Sequence, residues 1–195
     1  MNFPERIFTI GGAGKEIGFT LLETEWVIKG ILKPRPNPQS LRVTIIDSAE
    51  GEQNDDRQRV AEIENRINEL EAEMRDPEVG RTGSIDVEYK LVTENIQLNS
   101  SNDLMGEDAV PRITSGNGMD ENNWWLQNEY INENLDFAKG VVRKRGLGKA
   151  IYYKSYAEDD SINSYIDLPE KGKVAVLAGL GGGTGSGILL DLVEH

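Results

Sequence analysis

The segment Val174-Ala-Val-Leu-Ala-Gly-Leu-Gly181-Gly-Gly-Thr-Gly-Ser-Gly187-Ile-Leu-Leu-Asp constrains this chain more than any other. A short aliphatic run enters a loop in which five of seven residues are glycine, broken only by Thr184 and Ser186. An apolar helical pattern follows at once. Strand, glycine loop and helix in that order make a cradle for an anion. Glycines let backbone N–H groups converge, hydroxyls add donors, and the helix offers its positive end. Gly181, Gly182, Gly183, Thr184, Gly185 and Ser186 are therefore the first candidate binding residues.

The start of the chain repeats the arrangement. Arg6-Ile-Phe-Thr-Ile10 reads as a strand that ends at Gly11-Gly-Ala-Gly14. From Lys15 to Gly30, Ile17, Leu21, Leu22, Val27 and Ile28 recur at mostly helical spacing, which predicts a helix. Pro34, Pro36 and Pro38 mark a stiff loop, and Leu41–Ile46 is a second strand ending at Asp47. Strand, glycine turn, helix, strand is a βαβ unit and implies a parallel sheet.

Residues 54–76 carry an apolar stripe, Val60, Ile63, Ile67, Leu70 and Met74, at alternating spacings of 3 and 4. The stripe is too short for an autonomous coiled coil, so it is expected to pack on the protein's own sheet rather than on a partner helix. Glu62–Arg66 and Glu71–Arg75 are expected as i,i+4 ion pairs on its other faces. Ile85, Val87, Tyr89 and Leu91 alternate with charged residues, the pattern of a half-buried strand. A polar stretch at 94–136 reads as an insertion, with a turn at Gly116-Asn-Gly118 and Trp124-Trp125 fastening the loop or presenting a knob to a partner. A helix after Gly148 and a strand over Lys173–Ala178 complete the pattern.

Composition excludes several classes. The net charge of −13 argues against a nucleic-acid binder, whose footprint would be basic. An acidic surface of this kind also fits a chain kept soluble at high salt. Zero Cys rules out disulfides and Cys-ligated zinc. No run approaches the roughly 18 apolar residues of a membrane span. The first residues lack the basic-then-apolar order of a signal peptide, so the cytoplasm is the expected location.

Three strand ends thus lead into Gly11–Gly18, Asp47–Glu50 and Gly181–Gly187, and a parallel sheet would gather them at its carboxyl edge, where ligands bind in open α/β folds. Two familiar motifs fail on spacing. Gly14-Lys15-Glu16 lacks the Ser or Thr of a P-loop, and Gly12-Ala-Gly14-Lys-Glu-Ile-Gly18 has one residue too many for the dinucleotide fingerprint. Asp47 also lies farther along than the ribose-binding acid of a dinucleotide site.

Gly181–Gly187 is similar to the phosphate-loop motif of the tubulin and FtsZ superfamily, and Gly11–Gly18 resembles that family's first nucleotide loop. Asp47 falls where the family places an acidic residue near magnesium and the terminal phosphate. Gly140-Val-Val-Arg-Lys-Arg-Gly-Leu-Gly148 resembles the loop that senses that phosphate. The likeness is nearest to divergent prokaryotic tubulin-like proteins, haloarchaeal ones among them. The third loop departs from the pattern at Val142 and Arg143, where Arg143, Lys144 and Arg145 offer charge in place of glycines.

The resemblance implies a Rossmann-like three-layer α/β domain over residues 1–195 with a parallel sheet, GTP and Mg²⁺ as ligands, and assembly with like subunits. Gly11, Gly12, Ala13 and Gly14 would donate backbone N–H groups to phosphates, and Lys15 would be a counter-charge or face solvent. Gly140 and Val141 would face the terminal phosphate, and Asp47 with Glu50 would act on magnesium. It also implies that the family's base contacts, later strands and catalytic loop lie beyond His195, so the chain is expected to hold the phosphate half of the site without a catalytic acid. Two other readings share these residues. One is an NAD-type dinucleotide-binding domain, and the other a non-hydrolysing relic acting through partner contacts.

Overall fold

A computed structural model describes residues 4–75, 81–94, 140, 141, 143, 145–158 and 172–194. Four strands, β1 (Arg6–Ile10), β2 (Ser40–Asp47), β3 (Ser84–Leu91) and β4 (Val174–Ala178), form an all-parallel sheet in the order β3-β2-β1-β4. The helices are α1 (Gly11–Glu23), α2 (Glu25–Leu32), α3 (Gln53–Met74), α4 (Arg145–Glu158) and α5 (Gly183–Glu194). The polar stretch with Gly116–Gly118 and Trp124-Trp125 lies outside the described residues, apart from Glu94.

β1, β2 and β4 are largely apolar because both faces of the sheet are covered there, whereas the edge strand β3 keeps its alternation with charged residues. On one face Ile7, Val43, Ile45 and Val87 pack with Phe19, Leu22, Ile28, Ile31 and the α3 stripe. On the other, Phe8, Ile10 and Ile46 pack with Leu147, Ile151, Ile188 and Leu192 of α4 and α5. The result is three layers, helices on both sides of a parallel sheet. The chain runs outward from β1 to β2 to β3, with α1, α2 and α3 on one face, and then returns to the other side of β1 for β4. Ile10 pairs in register with both Ile46 and Ala178, so the strand ends after Ile10, Asp47 and Ala178 share one edge. Among the described residues no helix is long and apolar enough to cross a membrane.

The stripe behaves as the spacing predicts. Val60, Ile63, Ile67 and Leu70 are buried against the sheet and Met74 packs beside them. Ile67→Val should therefore cost about 0.5–1.5 kcal/mol, and Glu64→Ala, on the solvent face, should cost nothing resolvable in urea unfolding. The expected Glu62–Arg66 pair does not form. Arg66 reaches Glu69 at 3.0 Å and Glu25 of α2 at 2.9 Å instead, because α2 lies alongside and offers a carboxylate across the interface. Glu71 and Arg75 do approach, at 4.0 Å.

The predicted helix from Lys15 to Gly30 is two helices, and the first begins earlier. Thr24 takes an extended conformation and its hydroxyl donates to the Thr20 carbonyl, which closes α1 before α2 starts. Ile17, expected on the apolar face, is 53% exposed. The buried face is Gly14, Lys15, Gly18, Phe19 and Leu22. Gly11–Gly18 is thus not a loop but the first turns of α1. A Cβ on Gly14 would lie 2.3 Å from the Leu177 carbonyl oxygen, and one on Gly18 would lie 2.6 Å from Thr9 Cγ2. These glycines let α1 press onto β1 and β4.

Candidate functional site

The reversal of strand direction around β1 leaves a crevice at the carboxyl edge, between the ends of β1 and β4. Two helices start there. α1 follows β1 with no intervening loop, its first residue Gly11 turning out of the strand at φ +68°. α5 starts at Gly183, after a turn closed by the Gly182 N–H donating to the Gly179 carbonyl at 3.1 Å. Each helix leaves its first N–H groups without intrahelical partners and carries the positive end of its dipole. Gly11 and Gly185 touch, since a Cβ on Gly11 would lie 2.8 Å from the Gly185 nitrogen. The two helix starts therefore abut.

A cavity of ≈ 210 Å³ opens at this point. Gly11, Gly12 and Ala13 line it from one helix start, and Gly182, Gly183, Thr184 and Gly185 from the other. Gly140, Val141 and Arg143 form a further wall, with Asp47 and Ala49 after β2. The volume lies below the roughly 300–1,000 Å³ of a cleft that engulfs a small molecule. It suits phosphate groups rather than a whole nucleotide.

Not every predicted residue joins the lining. Gly14 packs against β4, and Gly181 and Ser186 stand outside the lining, the Ser186 hydroxyl donating to the Gly182 carbonyl. Thr184 Oγ1 shares a 2.6 Å hydrogen bond with Ser48 Oγ, which ties the start of α5 to the end of β2. Gly12 differs from the packed glycines. Among the described residues a Cβ there would meet nothing within 4 Å, so their packing does not require its missing side chain.

Lys15 is neither a counter-charge in the cavity nor exposed to solvent. Only 1% exposed, its ammonium donates to Glu52 Oε2 at 2.6 Å and Asp56 Oδ2 at 2.8 Å and ion-pairs with Asp47 Oδ2 at 2.8 Å. Three carboxylates surround one ammonium, two as hydrogen-bond acceptors and Asp47 as an ion-pair partner. Burial alone would lower the Lys15 pKa. The contacts with Asp47, Asp56 and Glu52 outweigh it and hold the group well above the ordinary lysine value. Burial raises Asp56 above the usual carboxylate range although Lys15 pulls it down.

These carboxylate oxygens all lie within 4.8 Å of one another, a spacing that could hold a metal ion. Here the Lys15 ammonium stands among them. Glu50, the predicted second metal ligand, sits at the start of a 3-10 turn (Glu50–Glu52) outside the cluster. Glu52 and Asp56 take that place. Their spacing of one helical turn leading into α3 was the available signal, because it sets both toward the end of β2. Asp47 is committed twice, since Oδ1 accepts from the Ser48 N–H at 2.8 Å while Oδ2 faces Lys15.

No family model, curated protein or solved structure matches the chain. The functional reading therefore rests on these residues and their geometry. They define an α/β domain with a crevice lined by two helix N-termini at the reversal point of a parallel sheet.

Proposed function

We propose that the crevice binds the phosphates of a nucleotide, with GTP as the ligand implied by the resemblance to tubulin and FtsZ. One observation supports this most: two helix N-termini abut at the sheet's reversal point around a small cavity, and Gly12 lines it at a position where a Cβ would meet no described atom within 4 Å. The N–H groups of Gly11, Gly12, Ala13 and Gly183–Gly185 would donate to phosphate oxygens, and the Thr184 hydroxyl adds a donor when Ser48 supplies the proton of the hydrogen bond they share. Base and ribose would lie outside a cavity of this size.

Magnesium, when bound, neutralises phosphate charge and orients the phosphate chain. Direct coordination by Asp47 does not fit the geometry, because Lys15 and Ser48 hold its oxygens. Asp47 would instead reach a phosphate-bound magnesium through water, and Glu50 would take no part. Self-assembly and hydrolysis between subunits follow from the resemblance alone.

Competition titration with GTP, ATP and NAD tests the reading. GTP should bind best, and a preference for NAD would replace it with a dinucleotide site. Gly12→Ala gives a second readout. Alanine gains up to about 1 kcal/mol in a helix over glycine, so the melting temperature should hold or rise. Phosphate affinity should fall about tenfold or more, a loss of about 1.4 kcal/mol. Unchanged nucleotide affinity in this variant would show that the ligand does not approach Gly12.

A further inference from the structure

We infer that Arg143 is the side chain that meets the phosphate charge in this crevice, and that it sets the preference for more highly charged nucleotides. The inference rests on the phosphate-binding reading above. Of the described residues that line the cavity, Arg143 is the only cation and Asp47 the only anion. Behind Asp47 stand Glu52 and Asp56, with Lys15 as the single ammonium among three carboxylates. This wall is negative on balance and repels an incoming phosphate. Lys15 cannot offset the repulsion, since it is buried and already ion-paired with all three carboxylates.

Backbone N–H groups and helix dipoles attract an anion, but each carries only partial charge. Among the described residues of the lining, a full positive charge comes from Arg143 alone. No carboxylate of the described residues lies within ion-pair distance of it, unlike Arg57, Arg59 and Arg66, which are all paired. Its guanidinium is exposed and its fork of donors matches two phosphate oxygens at once.

The backbone sharpens the argument. Arg143 has φ +62°, and among the described residues it is the only non-glycine with positive φ. Gly140, three residues earlier, takes φ +68° with a residue suited to it. An arginine is a poor choice for this conformation, and glycine would adopt it freely. Conformation therefore gives no reason for an arginine here, whereas charge does.

Arg143→Gly separates the two, because it removes the charge while easing the backbone. The measurement is the affinity of wild type and variant for GMP, GDP and GTP, by calorimetry at fixed salt, with thermal melting alongside. Wild type should bind more tightly as phosphates are added. In Arg143→Gly that ladder should flatten, with GTP weakened at least tenfold, GMP nearly unchanged and the melting temperature equal or higher. Arg143→Asn, which also tolerates positive φ, should flatten it equally and guards against an effect peculiar to glycine. A wild-type ladder that survives in both variants overturns the inference and leaves the phosphate site standing. Wild type that binds none of the three, nor ATP or NAD, overturns both.

Discussion

Lys15→Met is expected to lower the stability of the fold by about 3–5 kcal/mol, the cost of leaving one side of a buried ion pair uncompensated. For a chain of this size each kcal/mol shifts the melting temperature by roughly 2–4 °C, so the fall should be roughly 6–20 °C. Asp47 and Asp56 are buried, at 2% and 6% exposure, and Lys15 is the cation that both share. The pH dependence should change character. In wild type the raised Lys15 pKa contributes stability that is fully present below the unfolded lysine value. It is lost only as pH rises through the folded value, so the contribution is intact near neutrality. In the variant the buried carboxylates have no counter-charge and bind protons more readily folded than unfolded. Stability should then fall as pH rises through the carboxylate range and return on acidification. Urea unfolding at pH 5 and pH 8 would show this as a gap wider in Lys15→Met than in wild type, where Lys15 limits the rise of Asp56. Adding Asp47→Asn and Asp56→Asn to the variant should recover part of the loss, as should millimolar magnesium or calcium entering the vacated position. A variant as stable as wild type at pH 8 would mean that the ammonium does not hold these carboxylates.

Lys15 also shows where the sequence was legible and where it was not. The order of strand, glycine segment and helix exposed the parallel sheet, because β-branched runs followed by Gly have few other uses. Both helix starts and the end of β2 were readable as one edge for the same reason. The role of Lys15 was not. Adjacent to Gly14, it reads as a phosphate lysine, and only the packing of α3 beneath α1 shows that Glu52 and Asp56 claim it. Those two partners lie 37 and 41 residues away in sequence, and no local pattern joins them to Lys15. Arg143 was visible as a charge but not as the cavity's cation, since that depends on Lys15 being withdrawn. Glu62–Arg66 failed for a similar reason, as a long-range carboxylate on Glu25 competed with the local one.

Glycine carries the same ambiguity, and here two close positions in one helix should respond with opposite signs. Gly14→Ala puts a methyl group 2.3 Å from the Leu177 carbonyl oxygen, a backbone atom of a strand paired to β1. Nothing flexible can yield there. Either α1 lifts from the sheet or β4 shifts, and overpacking of this kind costs about 1–3 kcal/mol, at times more. Alanine's helical preference returns up to about 1 kcal/mol, so the net effect should be destabilising by about 1 kcal/mol or more. Because α1 and α5 abut at Gly11 and Gly185, lifting α1 also widens the crevice, and nucleotide affinity should fall with stability. Gly12→Ala, two residues earlier, keeps the fold and loses only affinity. Melting curves and titrations on the pair decide between two meanings of a glycine-rich segment. If both variants lose stability, the segment serves packing throughout. If Gly14→Ala alone does, Gly14 belongs to the fold and Gly12 to whatever the crevice holds.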